Sequence, residues 1–306
     1  MQVAWLLVPD FVLIALGWAL CRFTALNRPV WDGVERLVYH LLFPALLFES
    51  IVRHPLAPGA AWPLVAAALA VTGTGIVLAL ALGAWPGVDA RAHASGAQTA
   101  YRFNSYVALA LAARLGGSPG LAGMALVLAV CVPVVNVAAV WPLARQGGQL
   151  FWRELLRNPL ILATLAGLAF NALGGRLPDV AATTLSRLGS AALPLGLMAV
   201  GAGLTMGALR DAPRLGAALL GVRHVVLPLV ALALVAGPAP LLGMPALHQQ
   251  LLVAFAALPT ASSAYVLAVR LGGHGAYVAG LVTVSTLLAM PGLPLALSAW
   301  RWLAAL

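Results

Sequence analysis

The chain has 306 residues, of which 62% are hydrophobic and only 8% charged, too little polar surface to cover a soluble globule. Its formal charge of +9 comes from seventeen basic residues, all arginine. They stand singly and in pairs at the ends of apolar runs, which excludes the basic patch of a nucleic-acid binder and makes them topology signals of a chain whose partner is a lipid bilayer.

In chain order, residues 3–21 predict a first membrane-spanning helix, since the segment lacks the charged start and small-residue cleavage site of a signal peptide. Further spans are predicted at 34–52, 61–84, 94–114 and 119–141. A second set falls at 158–175, 188–209, 217–237, 247–269 and 275–300, each long enough for a bilayer that needs about 20 apolar residues. Cys21 and Cys131 lie at the end and middle of apolar runs and read as packing residues. Arg223 and His224 are placed at the cytoplasmic start of the eighth span, where an arginine snorkels.

The second set of spans rewrites the first. Pro9 and Pro159, like Pro44 and Pro194, stand 150 residues apart; Arg114-Leu115-Gly116-Gly117 returns as Arg270-Leu271-Gly272-Gly273 at an offset of 156, and Pro133 pairs with Pro291 at 158. Five helices per copy is an odd number, so the second copy enters the membrane inverted, the plan of a transporter whose site lies between repeats. The expected fold is therefore an all-α polytopic membrane protein of ten transmembrane helices in two inverted five-helix repeats, 1–142 and 158–306, joined by a cytoplasmic loop at 143–157. Arginines in the loops divide ten against five between the two sides, which sets both termini on the periplasmic side of a bacterial inner membrane.

Polar interruptions within spans point to a lined cavity, because backbone freed at membrane depth needs partners or water. Two such clusters stand at matching places in the repeats: Tyr101-Arg102-Phe103-Asn104-Ser105-Tyr106 in span 4 and Leu258-Pro259-Thr260-Ala261-Ser262-Ser263-Ala264-Tyr265 in span 9. Hydroxyls and amides also serve as helix-packing glue and proline as a simple kink, yet two clusters in register favour the cavity. If both helices unwind and cross there, their half-helix N-termini face a shared midplane site that suits an anion, with Arg102 adding charge and Asn104 a donor. Asp10 and Glu49 lie within spans 1 and 2, where interfacial exposure and a proton- or cation-coupling role are the competing readings. Pro44, Pro133, Asn136 and Pro194 are helix-break or packing positions. No metal-binding HExxH, nucleophile elbow or phosphate loop occurs, so neither enzyme, cofactor nor metal site is expected.

The motifs His40-Leu41-Leu42-Phe43-Pro44-Ala45-Leu46-Leu47-Phe48, Phe103-Asn104-Ser105, Val132-Pro133-Val134-Val135-Asn136-Val137, Leu156-Arg157-Asn158-Pro159-Leu160-Ile161 and Ala257-Leu258-Pro259-Thr260-Ala261-Ser262-Ser263, taken in this order, resemble the auxin efflux carrier family across nearly the whole chain. The resemblance implies ten helices with crossed, broken helices 4 and 9, a scaffold of helices 1, 2, 6 and 7, and a mobile transport domain working as an elevator. It also implies a homodimer through the scaffold and a small organic anion as substrate, such as malonate or malate in bacteria and auxin in plants. Asn104 falls at the family's substrate site and Pro259 at its crossover. Where the family follows this Asn with Gly and then Pro, Ala108 and Ala110 stand. Alanine favours continued helix, which predicts an asymmetric crossover with the clearer break at Pro259.

The function expected is a secondary transporter or facilitated carrier of a mono- or dicarboxylate, with Asn104, Ser105, Arg102, Pro259, Thr260, Ser262 and Ser263 around the substrate and a proton or sodium ion as the coupling partner. The alternatives are a sodium-coupled carrier like the bile acid symporters, a membrane-embedded lipid enzyme, and a non-transporting sensor on the same fold.

Overall fold

The computed structural model describes residues 2–53, 58–144, 159–204, 211–237, 243–261, 263–270 and 272–304, and every regular element among them is helical. Helix α1 covers Gln2–Phe23. Helix α2 runs from Arg28–Leu37 through a π-helical turn at Val38–Leu42 into Phe43–Arg53. Helix α3 covers Pro58–Ala81, and α4 consists of Ala90–Gly96 and Gln98–Tyr101. The chain is helical again over Ser105–Ala144, divided at Gly116 and Gly117 into α5 (105–115) and α6 (118–144). Helices α7 and α8 are Pro159–Ala172 and Asp179–Ala202. Helix α9 joins Pro213–Gly221, a second π turn at Val222–Val226, and Leu227–Ala236. Ala246–Ala256 is α10, Ser263–Arg270 is α11 and Gly275–Leu303 is α12.

Five helical stretches among the described residues are long and apolar enough to cross a membrane: Ala61–Ala84, Ala90–Ala139, Asp179–Ala202, Pro213–Ala236 and Gly275–Leu303. The seventh predicted span starts nine residues earlier than hydropathy placed it, at Asp179 rather than 188. Its polar first turns stay helical because hydroxyls fold back onto carbonyls one turn before, Thr184 to Val180 O and Ser190 to Ser186 O, both at 2.8 Å.

Proline explains the two π turns. Pro44 and Pro228 cannot donate to the carbonyl four residues back, that of His40 or His224. The misfit is absorbed just upstream, where Phe43 N bonds Val38 O and Leu227 N bonds Val222 O. Pro133 and Asn136 lie in α6, and Pro194 in α8, without breaking either helix. The repeated Arg-Leu-Gly-Gly motif turns the chain twice by a left-handed glycine, Gly117 (φ 55°) between α5 and α6 and Gly272 (φ 69°) between α11 and α12.

The helices form two compact units, each drawing on both halves of the sequence. Met1–Trp62, Leu109–Ala129 and Phe151–Gly203 make the first. Here α1 and α8 approach backbone to backbone: a Cβ on Gly17 would run into the Met198 carbonyl, and one on Gly201 into that of Ile14. Trp31 of α2 closes this pair over Ala199 and Ala202, with Cys21 packed alongside. Asn171 Nδ2 donates to Ile51 O at 2.6 Å, tying α7 to the end of α2.

The second unit comprises Pro63–Ala108, Val130–Leu150 and Leu204–Leu306. Its α11 and α12 share a core of Ala264, Ala268, Val278 and Val282. Both polar clusters of spans 4 and 9 fall in this unit. Of the expected connecting loop, residues 145–157 lie outside the described residues.

Candidate functional site

Both clusters interrupt their helices. Arg102, Phe103 and Asn104 are non-helical between α4 and α5, and Ala257 to Ala261 are non-helical after α10. The break in span 4 therefore precedes Ala108 and Ala110, which are buried and helical in α5. Both helices are thus broken, at 102–104 and, over the longer stretch, at 257–261, and the first break needs no proline, because Asn104 starts a new helix. Its Oδ1 accepts from Tyr106 N at 3.0 Å and Val107 N at 3.3 Å, and its carbonyl accepts from Ala108 N at 3.0 Å. That is an N-cap in the middle of an apolar run, and the side-chain acceptor it supplies is what opens the helix there.

The two extended segments meet through the main chain. Asn104 N donates to Pro259 O at 2.9 Å, and the Phe103 and Phe255 rings pack edge to face at 4.6 Å. Asn104 is 3% exposed. With Oδ1 engaged by the cap, the Nδ2 end of its amide is the part of the side chain left to meet a ligand.

Around Pro259 the orphaned backbone groups find partners one by one. A helical residue 259 would donate to Phe255 O, and proline cannot; Arg223 Nη2 does so instead at 3.3 Å, while its Nε donates to Leu258 O at 2.6 Å. Thr260 N donates to Ser285 Oγ of α12 at 2.8 Å, and that hydroxyl also shares a hydrogen bond with His224 Nε2 at 2.8 Å. Thr260 Oγ1 donates to Thr99 O of α4 at 2.6 Å. Such accounting is required where unfilled main-chain groups cost about 1–3 kcal/mol each.

Arg102 bridges the clusters by side chain. Its Nη1 donates to Gln98 Oε1 and its Nη2 to Ser263 Oγ, both at 3.2 Å, and Gln98 Nε2 reaches Ala264 O at 3.2 Å. Ser263 is the exposed first residue of α11, and Ser105 the half-buried first residue of α5. The structure thus joins Arg102, Asn104, Pro259, Thr260 and Ser263 into one network. Ser262 lies outside the described residues, as does the side chain of Asp10. Glu49 is buried in the first unit, not exposed at an interface.

Sequence reasoning missed Arg223, His224, Ser285, Gln98 and Thr99. The expected snorkelling position of Arg223 is overturned: α9 begins ten residues earlier, at Pro213, and Arg223 is 1% exposed, held by carbonyls of α10 and its exit. The available signal was an Arg-His pair one residue into a span that could be started before it, but its partners are 32 and 35 residues away and leave no local pattern.

A model of the family described as membrane transport protein matches residues 90–297, which include both breaks. Over nearly full length the chain is 27% identical to a protein of Methanothermobacter thermautotrophicus named "Uncharacterized transporter", covering 93% of this chain and 94% of that one. It is 25% identical to a Rhizobium meliloti protein named "Putative malonate transporter", covering 94% of this chain and 93% of the relative.

Proposed function

This chain belongs to the membrane transport protein family, that of the auxin efflux carriers, and from that premise we propose that it carries a small organic anion across the membrane by alternating access around the paired breaks at 102–104 and 257–261. The observation that carries this reading is the Asn104 N to Pro259 O hydrogen bond, which holds two helix interruptions side by side in one compact unit. Each interruption opens onto the N-terminus of a following helix, α5 or α11, whose positive dipole end favours an anionic ligand. Arg102 adds a full charge beside α11 through Ser263. In this reading Asn104 offers its Nδ2 to a carboxylate oxygen, and Ser105, Thr260, Ser262 and Ser263 line the rest.

The full architecture proposed is ten spans in two inverted five-helix repeats with helices 4 and 9 crossed, in a bacterial inner membrane, with both termini periplasmic and a homodimer formed through the scaffold helices. Asp10 and Glu49 are the proposed entry points for a coupling proton. The name of the Rhizobium relative makes malonate the first substrate to try.

Counterflow of labelled malonate, malate and monocarboxylates in proteoliposomes tests the proposal without assuming a driving ion. Saturable exchange is expected in the native protein and is expected to vanish in Asn104→Asp, which keeps the capping oxygen but replaces the donor with a negative charge. Exchange that survives this substitution removes Asn104 from the site. No exchange of any member of the panel by folded protein overturns the organic-anion substrate.

A further inference from the structure

The second compact unit contains only two acidic residues, Asp89 and Asp211, and both are engaged at helix starts. Asp89 Oδ1 accepts from Ala92 N at 2.7 Å as the N-cap of α4, and Asp211 Oδ2 pairs with His274 Nε2 at 2.9 Å before α9. Neither serves the buried guanidinium of Arg223, whose two hydrogen bonds run to the neutral carbonyls of Leu258 and Phe255. These carbonyls stand at the C-terminal end of α10, where Pro259 withholds a donor from Phe255 O and only Leu258 N reaches it along the chain, at 3.3 Å, and they carry the negative end of that helix's dipole. Carbonyl oxygens at a helix C-terminus and in the unwound segment after it are what a coupling metal cation binds in a carrier that uses one. Here the guanidinium of the chain itself takes that position, delivering two donors in the fork geometry a point cation lacks.

We infer that Arg223 is a built-in cation: it occupies the carbonyl site at the end of α10 permanently, so that anion transport needs no sodium ion there, and its charge offsets that of the bound carboxylate. The inference rests on the reading that the paired breaks form the transport site. Its positioning partner is His224, which, through Ser285, fixes Thr260 N on the opposite side of the same extended segment.

Two measurements on the full-length protein separate this inference from the reading beneath it. The first is thermal unfolding in detergent with chloride salts of sodium, potassium or choline at one ionic strength. Native protein should show the same midpoint in all three, and a rise specific to sodium overturns the inference whether or not malonate is a substrate. The second is counterflow of labelled malonate in the same salts. Equal rates are expected for native protein, and a requirement for sodium overturns the inference while leaving the carrier reading intact.

Arg223→Gln keeps an amide donor for the carbonyls and removes the charge. It should fold, lose most of its exchange, and regain part of it with millimolar guanidinium or sodium, to which native protein is indifferent. An Arg223→Gln protein that exchanges like the native one in every salt reduces Arg223 to a structural cap and overturns the inference. If the Gln protein does not fold, Arg223→Lys retains the charge and should exchange without sodium; sodium-dependent exchange in that variant overturns the proposal equally.

Discussion

The two helix breaks solve opposite halves of one problem. At 102–104 the difficulty is the donors of a new helix start, and Asn104 meets it within its own residue by capping Tyr106 N and Val107 N. At 257–261 the difficulty is the groups of a helix end, which adjacent residues fill only in part, as where Leu258 N reaches Phe255 O at 3.3 Å; further partners come from other helices, Arg223 of α9 for the carbonyls of Phe255 and Leu258 and Ser285 of α12 for Thr260 N. The first break is thus local and legible in sequence as an N-cap, while the second depends on residues brought in by the fold. A break of the second kind should be the more fragile.

The largest effect is expected where help comes from furthest away. Ser285→Ala removes the acceptor of Thr260 N in a fully buried place, leaving a buried amide unfilled at a cost of about 2 kcal/mol. Unfolding free energies in mixed micelles should show that loss, and an effect indistinguishable from zero would mean that another group takes over the amide and that the second break is not fragile in this way.

At the local break the same measurement should give less. Asn104→Ala removes a cap worth about 1 kcal/mol: of the two amides it serves, Tyr106 N belongs to a half-buried residue and Val107 N is held only at 3.3 Å, and the main-chain bond from residue 104 to Pro259 O remains. Asn104→Asp should be closer to the native stability, since its oxygen still caps α5. If Asn104→Ala proves costlier than Ser285→Ala, the ranking of the two breaks is reversed.

This contrast also accounts for what the sequence revealed. An apolar composition and polar clusters in register were enough to place a bilayer protein with two interruptions near Asn104 and Pro259. They left the strength of the first break in doubt, because Ala108 and Ala110 stand where the family pattern has a glycine and a proline, whereas the helix is restarted upstream of them by the capping oxygen of Asn104. They also misplaced Arg223, because hydropathy treats an arginine in an apolar run as a boundary. Only tertiary structure shows that the carbonyls of Phe255 and Leu258, at the end of α10, make the interior a tolerable place for its charge. Ser285 was hidden for the converse reason: a lone hydroxyl within a long apolar helix is ordinary packing until a buried amide is found against it.

The smallest effect follows from the same logic and concerns the residue that looks most responsible. Pro259→Ala returns an N–H to position 259, yet Leu258 O, Pro259 O and Thr260 N remain claimed by Arg223, Asn104 and Ser285. The extended segment should persist, with stability changed by less than about 1 kcal/mol, mostly through the freer unfolded chain. Hydrogen exchange across 257–261 distinguishes the possibilities. Unchanged protection means that the side chains hold the break and proline merely permits it; new helical protection running from α10 through residue 260 means that proline creates the break, and that Arg223 and Ser285 arrived to serve a geometry already set.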